Sequence, residues 1–253
     1  MILTDTWHWL VNGANWSGTD GILHRLEQHV IYTLITLVIA CLIALPLGFW
    51  IAHTGRGRFL VSLANAARAV PSLGLLCILG IWASSHISGD LALTGPSIAV
   101  LVVLALPPLL AGAYAGITEV DPAARDAAKG MGMTGTQVFT KVELPNSLPL
   151  VFSGLRSASL QVIATATIAA FLGIGGLGRF LLDGQASGEY QVMIGGSVLV
   201  AALALLVDLL FAVAQRRLVS PGLTGRRVHR HTTGAGSGNL DPATIPDDKR
   251  VTA

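Results

Sequence analysis

Four stretches of this sequence run for more than twenty residues with at most one charged side chain each: Val30 to Ala52, Ser97 to Ile117, Leu148 to Leu172 and Tyr190 to Ala214. A helix rises about 1.5 Å per residue, so roughly 20 apolar residues cross the hydrocarbon core of a bilayer. Inside that core the backbone has no water to bond, and a chain with such runs satisfies its own amides by coiling into helices. A fifth run, Ala69 to Ser84, starts beside Pro71 and is shorter. It crosses only by recruiting Val61 to Ala67; otherwise it dips into the membrane without spanning it. Pro107-Pro108 is expected to break the run from Ser97 to Ile117. The expected fold is all-α: a polytopic membrane protein of about five transmembrane helices.

Composition agrees. Hydrophobic residues make up 52% and charged residues 12% of the chain, about half the charged share of a soluble domain. A net charge of +2 without a basic stripe gives no footing for nucleic-acid binding. Lys and Arg are unevenly shared among the connections. Arg56, Arg58 and Arg68 follow the run ending at Ala52, Arg125, Lys129 and Lys141 follow the run ending at Ile117, and Arg216, Arg217, Arg226, Arg227, Arg230, Lys249 and Arg250 follow the run ending at Ala214. The intervening segments carry only Arg25, none, and Arg179. Positive residues favour the cytoplasmic side, so the alternation puts the N-terminus outside and both the Glu119-to-Ser147 loop and the C-terminus in the cytoplasm.

The ends read differently. Residues 1–27 form an extracytoplasmic or interfacial segment in which Trp7, Trp9 and Trp16 suit the headgroup level, with no basic n-region or cleavage site of a signal peptide. Residues 28–217 form the membrane domain. Residues 218–253 read as a disordered cytoplasmic tail whose arginines face the anionic inner leaflet. Cys41 and Cys77 both fall in apolar runs and read as small packing residues.

The loop at 119–147 is the polar exception. Asp121-Pro122 is a helix start, with Asp as N-cap and Pro in the first turn. Gly130 is expected to close this helix as a left-handed cap. Thr134 and Gln137 form a capping-box pattern that opens a second short helix through about Lys141, with Pro145 expected to end it.

Other motifs exclude chemistry. Gly173-Ile174-Gly175-Gly176-Leu177-Gly178 fits a dinucleotide-binding spacing, but it follows an apolar helix, not a strand, and lacks the acidic ribose partner about 20 residues on. It reads as a flexible helix end or tight turn. The absence of a phosphate loop excludes an ATPase, and no hydrolase signature is present.

Polar residues within the apolar runs are costly in lipid and so face protein or water. Arg156, Gln161 and Thr165 on the run from Leu148 to Leu172, Asp208 on the run from Tyr190 to Ala214, and Pro71-Ser72 at the start of the short one are candidates for a translocation path. The same residues also suit helix packing. Asp208 needs a cation, either Arg156 or Arg68. Gly112 and Gly116, four apart, suit a close helix–helix contact.

The segment from Asp126 reads acidic-Ala-Ala, three residues, Gly132, nine residues, then Val142-x-Leu144-Pro145. It resembles the coupling loop of ABC-importer permeases, with Asp126 for the usual Glu and Val142 for the usual Ile. The resemblance implies that Asp126, Ala127, Ala128, Gly132, Val142, Leu144 and Pro145 form the docking element for partner ATPases, with Met131, Met133, Val138 and Phe139 offering apolar contacts. Ala69 to Leu76, Gly130 to Pro145 and Gln161 to Gly178 are similar to the osmoprotectant branch, which imports glycine betaine, carnitine or choline. This likeness covers about Glu27 to Arg217.

The resemblance further implies a non-catalytic permease of a bacterial cell membrane with no cofactor of its own, since ATP and Mg²⁺ belong to the partner. Its partners would be the ATPase subunits, a second permease (identical or paralogous), an extracytoplasmic binding protein and the bilayer. A permease for another solute, such as an amino acid or sulfonate, and an ATPase-independent transporter or channel are the alternatives.

Overall fold

The computed structural model describes residues 2–67, 69–89 and 91–219, and every regular element among them is helical. In chain order these are α1 (Ile2–Val11), α2 (Ile22–Thr54), α3 (Arg58–Ala67), α4 (Ser72–His86) and α5 (Leu91–Thr118). They are followed by α6 (Pro122–Gly130), α7 (Gly135–Val138), α8 (Leu144–Ala169), α9 (Gly178–Ser187) and α10 (Tyr190–Leu218). α2, α5, α8 and α10 are long and apolar enough to cross a membrane. α4 has 15 residues, about 22 Å of rise, which falls short of the core thickness. Val61 to Ala67 belongs to the separate helix α3, because the extended backbone of Pro71 starts α4 anew.

α5 is the centre of the bundle, packed against α2, α3, α4 and α8. Backbones approach there through small residues. A Cβ on Gly154 of α8 would lie 2.6 Å from the Pro108 carbonyl oxygen, and one on Gly112 would lie 2.8 Å from the Leu150 carbonyl. Gly116 meets Ser147, and Gly48 of α2 meets Ala113. Gly112 and Gly116 thus form the packing face read from their spacing. Around this seam Leu37, Ala40, Ala44, Ile51, Ala105, Leu109, Ala158 and Val162 form a core.

Pro107-Pro108 does not break α5, which runs unbroken from Leu91 to Thr118 with Pro96 also inside it. In lipid, neighbouring helices compensate for the lost amide bonds, and the buried position of Pro108 against the Gly154 backbone provides such a neighbour.

At one end of the bundle the glycine-rich turn is anchored. Gly176 N donates to Gln28 Oε1 at 3.0 Å, and buried His29 places Nε2 3.1 Å from the Ile163 carbonyl. Gly173 and Gly176 have positive φ, and a Cβ on Gly178 would meet the Thr167 carbonyl at 2.3 Å. The segment is a tight turn, not a flexible end. α9 follows it, an element with no sequence expectation. α1 leans on α10 and α9: Trp9 sits edge-to-face with Phe180 at 5.2 Å and covers Gly195, while Trp16 Nε1 donates to the Leu10 carbonyl. Of the three tryptophans expected at an interface, Trp7 is exposed and Trp9 is a packing residue. The expected disordered tail lies outside the described residues from position 220 onward.

Candidate functional site: the polar segment between α5 and α8

The polar segment folds as its caps dictate. Asp121 accepts a hydrogen bond from Ala123 N at 2.9 Å, Pro122 occupies the first turn, and α6 follows. Gly130 is the last residue of α6 and is not its left-handed cap. That role belongs to Gly132, at φ +81°, because the closing bonds run from Met133 N to Ala128 O (3.2 Å) and from Gly132 N to Lys129 O (2.9 Å). This pair of bonds is the Schellman pattern, in which the residue after the cap must turn left-handed. Thr134 and Gln137 exchange both bonds of a capping box and open α7.

Pro145 does not end this second helix. A π turn over Phe139–Glu143 carries the backbone from α7 directly into α8, with Leu144 N bonded to Phe139 O. Proline in the first turn of α8 has no amide bond to lose, and the wider π turn accommodates it. α7 and the transmembrane helix α8 are therefore one continuous rod, to which α6 is joined by the turn at Gly132.

The structure divides the expected docking residues into two sets. Asp126, Ala127 and Gly132 are exposed, and Met131 is 71% exposed. Ala128 is 1% exposed and Val138 is 4% exposed, both facing their own chain. Only one of the two alanines therefore offers a thin outer face, since neighbours on a helix point about 100° apart. Phe139 packs edge-to-face on Phe49 and His53, each at 5.6 Å between ring centres. Val142, Leu144 and Pro145 are half-buried in the joint with α8.

Glu143 is the residue sequence reasoning passed over. Its side chain is buried, with Oε1 2.8 Å from Arg125 Nε and Oε2 2.6 Å from His53 Nε2. The Arg125 contact is an ion pair lying outside hydrogen-bond angles. A signal was present: one carboxylate in the middle of the otherwise apolar Val142-x-Leu144-Pro145.

The path candidates separate as well. Arg156 and Asp208 pair bidentately, Nε on Oδ1 and Nη2 on Oδ2, joining α8 to α10. Arg68, the other proposed partner, lies outside the described residues. Thr165 is buried and donates to the Gln161 carbonyl of its own helix at 2.7 Å, as Ser159 does to Leu155. Gln161 is half-buried, Ser72 opens α4, and Pro71 is exposed beside it.

Residues 30–223 match the family of binding-protein-dependent transport system inner membrane components. The chain is 30% identical over 211 residues to the glycine betaine/carnitine/choline transport system permease protein OpuCB of Bacillus subtilis, covering 81% of this chain and 92% of that one. It is 29% identical to the osmoprotectant import permease protein OsmW of Salmonella typhimurium, covering 87% and 99%. Among solved structures, it superposes on a chain of the MetNI methionine ABC transporter in an inward-facing conformation with a TM-score of 0.68 at 21% identity, covering 79% and 96%.

Proposed function

The chain belongs to the family of binding-protein-dependent transport system inner membrane components, and we propose on that footing that it carries osmoprotectants of the glycine betaine, carnitine and choline class. It is a non-catalytic, multi-pass membrane permease subunit; hydrolysis resides in partner subunits. The substrate class rests on the names of its relatives, which match over most of their length.

The observation that carries the coupling role is the continuity of α7 with α8. α6 and α7 form a capped shelf with Asp126, Ala127, Met131 and Gly132 on its outer face, the tight turn at Gly132 joins α6 to α7, and a load on α7 passes into a membrane-crossing helix with no loop between them. We place Asp126, Ala127 and Gly132 in contact with the ATPase, and Val142, Leu144 and Pro145 in the joint with α8. Ala128 supports the shelf from within.

Orientation has a structural counterpart. The C-terminal ends of α2 and α5 and the start of α8 meet at the shelf through His53, Ile117 and Glu143. The ends of α2 and α5 from which the first two basic connections leave thus share one end of the bundle, which we assign to the cytoplasm. ATP binding by two ATPases would rock two such bundles, and an extracytoplasmic binding protein would deliver the solute. Whether the second permease is a copy or a paralogue is decided by which chain co-purifies.

The test is uptake by vesicles containing the complex purified through this chain, with labelled glycine betaine competed by carnitine, choline, methionine and taurine. Competition by the quaternary ammonium solutes alone supports the reading, and competition by methionine or taurine overturns the substrate class. Gly132→Arg should abolish uptake in a correctly inserted chain, because a side chain at φ +81° strains the Schellman turn. Normal uptake by that variant removes the coupling assignment.

A further inference from the structure

Among the described residues, Glu143 is the only Asp, Glu, Lys or Arg whose residue is buried, at 5% exposure. A buried carboxylate is costly unless it is paired and hydrogen-bonded, and both oxygens of this one are engaged. Oε1 faces Arg125 of α6, and Oε2 faces His53 near the end of α2. Arg125 reaches further, its Nη2 donating to the Ile117 carbonyl at the end of α5. His53 Nδ1 lies 2.7 Å from the Phe49 carbonyl of its own helix. Each ring nitrogen of His53 thus faces an oxygen. The Phe139 ring closes the arrangement against Phe49 and His53.

Glu143 is also the last residue of the π turn that joins shelf to span. Four elements therefore converge on one carboxylate: α6 by Arg125, α5 through Arg125, α2 by His53, and α8 by the backbone of Glu143 itself. Arg125 is two residues from the exposed Ala127 and one from the outward-facing Asp126, so displacement of the outer face of α6 moves the guanidinium directly.

We propose that Glu143 is a positioning residue that clasps the coupling shelf to the ends of α2 and α5, so that the motion of α6 is delivered to three membrane helices together instead of to α8 alone. The clasp rests on the coupling role proposed above but adds residues to it that the motif does not contain. Without the carboxylate, α6 would still dock, while α2 and α5 would no longer follow it.

A structural staple would change how much complex assembles; a coupling clasp changes how much solute moves per ATP. The experiment therefore measures both, in vesicles holding the whole complex, with labelled glycine betaine as probe. Glu143→Gln keeps shape and removes charge. The expected result is assembly with the ATPase and a fall of about tenfold or more in uptake per ATP hydrolysed, a size usual for coupling between sites. His53→Lys, which places an N–H donor opposite Oε2, should retain most of the coupling that His53→Leu loses. Wild-type uptake per ATP in Glu143→Gln overturns the clasp and leaves the coupling reading standing. Wild-type chain that transports without any ATPase overturns the coupling reading itself.

A second measurement leaves the clasp intact. Spin labels on Thr54→Cys and Thr136→Cys, in a chain carrying Cys41→Ala and Cys77→Ala, report the distance between the end of α2 and the shelf. An unchanged distance with and without ATP supports a rigid clasp. A shift approaching one helical turn, about 5 Å, overturns it.

Discussion

α5 and α10 run for 28 and 29 residues and are both strongly apolar, yet they occupy opposite situations. α5 buries Val100, Leu101, Leu104, Ala105, Leu109, Leu110, Ala113 and Ile117. α10 buries Gly195, Gly196 and Leu203, and leaves Leu205, Leu206, Leu209 and Leu210 more than half exposed. Lipid tails are as apolar as leucine, so hydrophobicity does not choose which helix goes to the centre. Shape does. α5 carries Gly112, Ala113 and Gly116 where α8 and α2 present Gly154, Ser147 and Gly48, and backbones close up wherever side chains are missing.

The comparison is best broken at the seam. Gly154→Leu puts a side chain against the Pro108 carbonyl, where backbone meets backbone and neither can yield. It should cost more than about 3 kcal/mol, at the upper end of overpacking effects, and leave no monodisperse protein on fluorescence-detected size exclusion. A folded, thermally normal Gly154→Leu protein would mean that glycines do not position α5.

Next in size is the Arg156–Asp208 ion pair that joins α8 to α10. Asp208→Leu strands Arg156 and should lower the melting temperature clearly, with part of the loss recovered by adding Arg156→Met, since removing both partners is milder than removing one. Additivity of the two substitutions would show that the pair does not hold α10 to α8. Trp9→Ala should come third. It uncovers Gly195 and loses the edge-to-face contact with Phe180, whose worth is about 1 kcal/mol beyond buried area, and thermal melting in detergent should move modestly. Leu209→Ala on the outer face of α10 should fall within about 0.5 kcal/mol. A large effect there would show that something other than lipid covers this face.

Much of the fold was legible because its determinants are local. The four long spans follow from uninterrupted apolar runs, and the starts of α6 and α7 follow from Asp121-Pro122 and Thr134 with Gln137. Local rules failed where a neighbour supplies what the chain lacks. Pro107-Pro108 reads as a break but is held inside α5 by α8, and Pro145 reads as a stop but is absorbed by a π turn. Gly130 and Gly132 both fit a helix end, and the bonds from Gly132 and Met133 decide between them. The outer face of the shelf was only partly legible, because the pattern names Ala127 and Ala128 together while the helix turns one outward and one inward.

The sequence by itself determined that this chain crosses lipid as helices and where a capped polar shelf interrupts them. Those properties depend on transfer energy and capping, each set within a few residues. Only the tertiary structure decided that α5 sits at the centre, that Arg156 pairs with Asp208, and that Glu143 gathers His53, Arg125 and the end of α5. Such contacts join residues far apart in the chain, and their strength depends on which backbones can approach and which charges are shut away from water together.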